Sequence, residues 1–236
     1  MSIADKLVTI AENQQKVYEA GKKTEWDNFW DVFQKTNSGN DRTDYSYAFY
    51  GGVGCGWNAT NFKPKYDLRP TVANYMFHQF SSGYIDSLTD MLEQAGVVLD
   101  TSQCTSHDRM FANSPILDAP HIDLTKSTAV GYLFYSCLYL KKAEITLPEK
   151  TVSNYSGMFT HCQSLEDLTI NGTADKSLSL AQSPKLTTTS LQSVIGSLKD
   201  LTGATSQTLT LHADAAAKLT DEQKAIISAK NWNLVY

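Results

Sequence analysis

Hydrophobic and polar positions in the middle of the chain follow a pattern that recurs about every two dozen residues. Four segments share a seven-residue template with a Phe or Leu anchor, a Ser or Cys three positions later and a Leu six positions later. The first and last template residues are Phe111 and Leu117, Phe134 and Leu140, Phe159 and Leu165, and Leu180 and Leu186. Successive anchors are 23, 25 and 21 residues apart. A fixed period of this length predicts a repeat fold.

Each template leads into a short run of alternating apolar and polar residues, as a strand with one buried face requires. An aliphatic residue stands five positions beyond the last Leu of every template, namely Ile122, Ile145, Ile170 and Leu191. One unit is too small to bury its own apolar face. Stacked units would bury each anchor at roughly 1.5–3 kcal/mol per large side chain. The pattern predicts an α/β solenoid of short stacked strands, with two degenerate upstream units at Met76-Phe77 and Met91-Leu92.

Both ends of the repeat region have features of caps, which a solenoid needs to cover its terminal apolar faces. Thr220 to Gln223 form a capping-box sequence that predicts a helix through about Ala229. A strand-like run over Thr208 to Leu211 precedes it, and Trp232 to Val235 follow it. We therefore expect a small αβ cap at the C-terminus.

The N-terminal segment carries a set of residues at alternating spacings of four and three. Four of them are apolar and one, Gln14, is polar; the set is Ile3, Leu7, Ile10, Gln14 and Val17. This spacing is typical of a coiled-coil contact with one polar core residue, and it predicts a homo-oligomer, with a trimer as the favoured state. The alternative is an amphipathic helix that packs on its own domain.

Aromatic residues are concentrated between this helix and the repeats, over residues 26–57. They are interpreted either as a sugar-stacking platform or, as we favour, as side chains that close the open face of the first repeat. The predicted divisions are an oligomerising helix over 1–35, an aromatic-rich cap over 36–74, the repeats over 75–195 and the C-terminal cap over 196–236.

The repeat units resemble leucine-rich repeats of the BspA type, or Treponema type. In those repeats Phe-x-x-Cys-x-x-Leu precedes a strand of the type Ile-Thr-Leu-Pro. Phe134 to Leu140 and Ile145 to Pro148 match this motif closely. The resemblance covers roughly residues 75–195 and implies the fold without implying a ligand. The first and fourth units lack the Cys, and the unit lengths are uneven, which argues against a regular arc.

The layout of the whole chain is similar to a family of leucine-rich-repeat proteins encoded in prophages of gut Firmicutes. The similarity rests on the helix of the Lys6 to Asn13 type, Phe29-Trp30-Asp31, the loop Gly56-Trp57-Asn58 and the ending Leu219 to Gln223. It implies a virion-associated or tail-associated role, and it implies no activity and no ligand residues.

Composition further restricts the classes of partner that the chain is expected to bind. The chain of 236 residues has a formal net charge of −5 and a pI near 5.5. Nucleic-acid binding depends on clustered Lys and Arg, and no basic stripe offsets the acidity, so nucleic acid is not an expected partner. No basic segment followed by a long apolar stretch opens the chain, and no run of 18 apolar residues occurs. We expect neither a Sec signal nor membrane insertion.

Four cysteines are too few and too scattered for a disulfide scaffold, so reduced and mostly buried thiols are expected. Cys104 with His107, and His161 with Cys162, could supply zinc ligands. The repeat argues against zinc because Cys162 stands at the small template position, equivalent to Cys137. No catalytic motif with a nucleophile and base is present, and recurring acids such as Glu166 are interpreted as a solvated face. We expect a non-enzymatic protein without cofactor or metal.

The outward strand positions are the predicted binding residues. They form two rows: His121, Glu144, Thr169 and Ser190 in one, and Asp123, Thr146 and Asn171 in the next. Their small polar side chains suit hydrogen bonding to a glycan or a protein. The main hypothesis is a phage-type structural or host-recognition protein of the virion. The alternatives are a bacterial cell-surface adhesin or interaction module and, third, a glycan hydrolase.

Overall fold

The computed structural model of the chain describes residues 30, 33–34, 42–51, 57, 62–80, 86–155 and 157–236. Within these residues the fold is mixed α/β, with short helices and two small parallel sheets, neither of which closes into a barrel. The predicted α/β class is confirmed. The predicted oligomerisation residues lie outside the described part, namely Ile3, Leu7, Ile10, Gln14 and Val17.

The first sheet consists of β1 (Ile122–Asp123), β2 (Lys142–Thr146) and β3 (Asp167–Asn171), in that order and all parallel. Its register aligns Ile122 with Ile145 and Ile145 with Ile170. All three isoleucines are buried, and β2 and β3 alternate between inward and outward residues. The constant offset of these isoleucines from the last Leu of each template therefore identifies the positions that pack together in the core.

Parallel pairing continues towards the N-terminus as single bridges, including Leu68 with Leu99 and Asp86 with Ile116. Helix α1 (Leu88–Ala95) lies in the chain between the bridging residues Asp86 and Leu99. Ser87 caps its N-terminus, and Gly96 ends it in a left-handed conformation with φ of +67°. Met91 and Leu92 are buried on this helix. The predicted degenerate unit therefore contains a helix, and its strand position Leu99 pairs in parallel with Leu68.

Phenylalanine rings form a continuous stack through the core. Neighbouring ring centroids lie 5.1 to 5.8 Å apart with interplanar angles of 5° to 29°. In chain order the members are Phe49, Phe77, Phe111, Phe134 and Phe159. All five are at most 1% exposed. The stack thus joins three predicted anchors to Phe77, from a predicted degenerate unit, and to Phe49, which the template did not detect.

The small template position has a hydrogen-bonding role. Its side chain donates to a backbone carbonyl of the preceding turn: the Cys137 thiol to Phe111 at 3.0 Å, and the Cys162 thiol to Phe134 at 3.2 Å. The Ser114 hydroxyl donates to the Phe77 carbonyl in the same way. A buried carbonyl without a partner is costly, so a Ser or Cys here stabilises the turn beneath it.

The predicted burial of the cysteines is confirmed for Cys104, Cys137 and Cys162, which are free. Burial raises the pKa of Cys104 to about 11 and that of Cys137 to about 12. Cys55 lies outside the described residues. The closing leucines Leu140, Leu165 and Leu186 are buried. Leu117 is only half-buried, because the neighbouring Ile116 occupies the core in that unit.

The fourth unit departs from the predicted pattern. Leu180 is buried, but it lies in strand β4 (Leu178–Leu180), and the predicted strand around Ser190 is helix α2 (Thr188–Ser197), capped by Thr187. Ser190 is 3% exposed. Its prediction as an exposed strand residue was wrong, because the Leu191 spacing that suits a buried strand position also suits the buried face of a helix.

The C-terminal cap follows the sequence prediction. Strand β5 (Gln207–Leu211), the short helix α3 (Ala213–Ala216), helix α4 (Asp221–Ala229) and strand β6 (Trp232–Val235) follow in order. A reciprocal capping box between Thr220 and Gln223 opens α4, as predicted. The second sheet has the parallel order β4-β5-β6. It buries Leu209 and Leu211, which completes the C-terminal end of the core.

Candidate binding surface

Outward residues of the first sheet form the surface that we call the strand face. Its members are His121, Asp123, Glu144, Thr146, Thr169 and Asn171. The register places Glu144 beside Thr169, and Thr146 beside both Asp123 and Asn171. The structure therefore brings six of the seven predicted positions together, five on one sheet and His121 directly before β1, and it places Ser190 elsewhere.

Hydrogen bonds between neighbouring strands fix these side chains. His121 Nε2 and Thr146 Oγ1 lie 2.8 Å apart, and Asn171 Nδ2 donates to Glu144 Oε1 at 3.2 Å. Both contacts join a residue of one row to a residue of the other. Side chains that are already ordered lose less conformational entropy when a partner binds. The strand face is thus a polar and preordered surface above a buried isoleucine row.

Ser190 instead ends the sheet. Its hydroxyl accepts from the Leu168 amide at 2.8 Å and donates to the Glu166 carbonyl at 2.9 Å. One helical turn later, the Ser193 hydroxyl accepts from the Ile170 amide at 2.9 Å. These are backbone groups of β3, and of Glu166 just before it, at the edge where a fourth strand would otherwise pair. Helix α2 therefore covers the sheet edge with serine hydroxyls, a known requirement for an edge strand.

A groove of about 490 Å³ adjoins the strand face where it meets α1, and we call it the α1 groove. His121 and Asp123 form one wall, and the other lining residues include Asp67, Arg69, Leu92, Val98, Asp100 and Pro120. Leu68 bridges Leu99, so the residues on either side of these two lie next to each other. The repeat pattern does not indicate this part of the site, because α1 interrupts the repeat and separates Asp67 from Val98 by 31 residues.

Backbone amides hold the carboxylates of the α1 groove. Asp67 Oδ1 accepts from the Val98 amide at 3.0 Å, Asp100 Oδ1 from Ser102 at 3.0 Å and Asp123 Oδ1 from Thr125 at 2.9 Å. Hydrogen bonds from Ser102, and to a smaller extent the Arg69 guanidinium, lower the pKa of Asp100. Asp100 is therefore ionised at neutral pH.

Arg69 joins two of these acids. Its Nη2 lies 2.7 Å from Asp67 Oδ2, and its Nε lies 3.9 Å from Asp100 Oδ2. The guanidinium side chain is 64% exposed, so the pair contributes little to stability. The guanidinium thus lies between the two carboxylates.

A second set of unusual residues occupies the turns, two positions before each phenylalanine of the stack, and we call it the turn-side row. Tyr47, Tyr75, Arg109, Tyr132 and Gly157 all have positive φ, between 52° and 64°. Tyr47 and Tyr75 stack at 4.8 Å, and Arg109 Cζ lies 5.6 Å from the Tyr75 ring centroid and 4.5 Å from that of Tyr132. Stacking and cation–π contacts offset the left-handed backbone, which costs about 1–2 kcal/mol per non-glycine residue.

The aromatic segment is divided between core and surface. Trp30, Tyr45 and Phe49 are at most 1% exposed and belong to the hydrophobic core, whereas Tyr47 is 57% and Tyr50 43% exposed. Trp57 packs against this core. The buried rings therefore close the N-terminal end of the phenylalanine stack, and the exposed tyrosines belong to the turns.

The candidate zinc residues lie in separate environments. His107 is fully buried, and its Nδ1 lies 3.1 Å from Ser127 Oγ. His161 stands in a turn with φ of +62°, beside the buried Cys162. Among the described residues, no group of three or more His, Cys, Asp and Glu is arranged to hold a metal ion.

Comparisons of the chain with family models, curated proteins and solved structures found no match. No helix within the described ranges combines the length and the apolar content needed to cross a bilayer.

Proposed function

We propose that this chain is a non-enzymatic binding protein, in which a leucine-rich-repeat solenoid of the BspA type presents the strand face to a partner. One observation carries the proposal: the outward polar residues of three parallel strands stand in register above a buried isoleucine row. The stacked phenylalanines and the repeated Ser or Cys hydrogen bonds support the repeat assignment.

The role that we propose is phage-type: a structural or host-recognition protein of the tail or virion. The support is the resemblance of the whole sequence to prophage-encoded leucine-rich-repeat proteins. In this proposal the N-terminal helix joins protomers, with a trimer favoured, and the strand face contacts a glycan or protein on the host surface. Small polar side chains linked by hydrogen bonds suit such a contact, because their geometry is set before binding.

Virions provide the test of this role. Phage would be induced from the bacterium that carries the gene, purified on a density gradient and analysed by mass spectrometry and immunogold labelling with antibody against this chain. We expect the protein in the particle, with the label at the tail. Its detection on the bacterial envelope and not in particles would contradict the proposal and favour the adhesin alternative.

Competition then tests the strand face. Excess purified protein should block adsorption of virions to host cells, and the double variant Glu144→Ala/Thr169→Ala should block at least about tenfold less well, because two outward side chains are lost. Ser179→Ala is the matched control, since Ser179 is an exposed residue of β4 in the other sheet. Equal competition by all three proteins would show that the strand face does not bind the host.

A further inference from the structure

The α1 groove differs from the rest of the strand face because it offers aliphatic surface beside its polar groups. Val98 is 60% exposed although it stands next to a strand bridge, and the half-buried Pro120 lines the same groove. An exposed valine in this position is costly to hydrate. The groove therefore has an apolar patch that the rows of Glu144, Thr146 and their neighbours lack.

Its polar groups are fixed and only partly used within the protein. One carboxylate oxygen of Asp67, of Asp100 and of Asp123 accepts from a backbone amide, which leaves the second oxygen of each directed away from that amide. The second oxygens of Asp67 and Asp100 flank Arg69. Acceptors and a planar donor thus alternate along the wall of the groove in a geometry that the backbone sets.

Charge and polarity restrict the ligand. The acids Asp67, Glu93, Asp100 and Asp123 outnumber the single cation Arg69 among the lining residues. A phosphate, sulfate or carboxylate ligand would be repelled by this excess. A wholly apolar ligand would bury these polar groups without partners. A ligand with closely spaced hydroxyl groups and a small apolar face satisfies both requirements.

We propose that the α1 groove binds an uncharged carbohydrate. Vicinal hydroxyls of a sugar ring would donate to the carboxylates of Asp100 and Asp123 and accept from Arg69, while the C–H face of the ring would lie on Val98 and Pro120. The volume of about 490 Å³ suits a short oligosaccharide. The inference rests on the proposed function, because it names the ligand class for one end of the strand face.

A glycan array tests the ligand class. Fluorescently labelled full-length protein would be applied to neutral hexose and N-acetylhexosamine oligosaccharides, with sialylated and sulfated oligosaccharides on the same slide. A lysine-rich peptide and its ε-acetylated form would be included, because a basic peptide is the competing ligand for an acidic groove. We expect binding to neutral glycans alone, with the dissociation constant of the best glycan then measured by calorimetry.

Variants locate the site. Asp123→Asn keeps the size of the side chain, and Val98→Ser removes the apolar patch; each should weaken glycan binding about tenfold or more. The matched controls are Asp214→Asn and Val235→Ser, which change an exposed acid on α3 and a 49% exposed valine on β6. Both should bind like the original protein. Thermal unfolding of every variant checks that the fold is retained.

The inference would be overturned by binding only to sialylated or sulfated glycans, by binding only to the unacetylated lysine peptide, or by glycan binding that the two groove variants leave unchanged. An array without bound neutral glycans would also refute it. If competition for virion adsorption still depended on Glu144 and Thr169 in that case, the proposed function would stand and only the carbohydrate assignment would fail.

Discussion

His107 is a buried residue whose ionisation should lower stability in acid. It occupies the core position four residues before the Phe111 anchor, where the next turn has Val130. Burial lowers the pKa of His107 to about 4 from its ordinary value of 6.5. The unfolded chain therefore takes up this proton before the folded chain as the pH falls. The stability that the neutral His107 contributes is fully present above pH 6.5, and it is lost progressively as the pH falls from there through about 4.

We expect His107 to cost about 2 kcal/mol of unfolding free energy between pH 7 and pH 5. His107→Val introduces the residue type that the next turn has at Val130, and it should remove this loss of unfolding free energy between pH 7 and pH 5. Urea unfolding at both pH values measures it. His121→Gln, which replaces an exposed histidine, should keep the full loss. An identical loss in the original protein and His107→Val would refute the assignment.

A neighbouring side chain restricts position 157 to glycine. It has φ of +64°, and a Cβ there would lie 2.4 Å from Cδ1 of Tyr132. Gly96 has nearly the same φ, +67°, with no atom within 4 Å of the corresponding Cβ. The turn-side row thus ends at a glycine because the Tyr132 ring covers that backbone.

Alanine substitutions separate strain from collision at these two glycines. Gly96→Ala should lower the unfolding free energy by about 1 kcal/mol, from the left-handed backbone alone. Gly157→Ala should cost about 2–3 kcal/mol, because the Tyr132 ring must also move. Denaturant unfolding of both variants provides the comparison. Equal losses would show that the ring moves away at no cost.

At the scale of elements, helix α2 is the part of the fold that the sequence predicted least well. The first sheet needs this helix, because it covers the open edge of β3. The serines that meet β3 are three residues apart, so they lie on one face of the helix. The Ser190 hydroxyl hydrogen-bonds to the backbone of Leu168 and Glu166, and the Ser193 hydroxyl to the backbone of Ile170. The helix therefore satisfies the strand edge through side chains, where a further repeat would use backbone.

Ser190→Ala should lower the unfolding free energy by about 1–3 kcal/mol, because it leaves a buried amide and a carbonyl without this partner. Amide hydrogen exchange at Leu168 should accelerate at the same time. Thr189→Ala, at an exposed neighbouring position of the same helix, is the control and should leave that exchange rate unchanged. Unaltered protection of Leu168 in Ser190→Ala would mean that the hydroxyl does not terminate the sheet.

At the scale of the whole molecule, sequence predicted what depends on period and on local caps. The buried isoleucine row follows from a constant offset, and α4 follows from a capping box. Phe49 escaped detection because its unit has Gly52 and Cys55 where the template has Ser or Cys and then Leu. The α1 groove could not be predicted, because it forms where an inserted helix brings Val98 beside Asp67. The sequence near either residue does not predict that contact.

Assembly is predicted by the N-terminal spacing alone. Removal of residues 1–23 should convert an oligomer into a monomer, since the apolar heptad positions from Ile3 to Val17 would be lost. Light scattering coupled to size-exclusion chromatography gives the mass of both forms. A full-length chain that is already monomeric would refute the coiled-coil hypothesis and favour a helix that packs on its own domain.

The phenylalanine stack supports the whole arrangement, and Phe134 is its most direct test because Phe111 and Phe159 lie against it at 5.1 and 5.8 Å. Equilibrium urea unfolding would compare Phe134→Ala with Leu138→Ala, a truncation four residues later at a side chain that is 41% exposed. The stacked-repeat account predicts a loss of about 3–5 kcal/mol for Phe134→Ala and less than about 1 kcal/mol for Leu138→Ala. Similar small losses in both variants would contradict it.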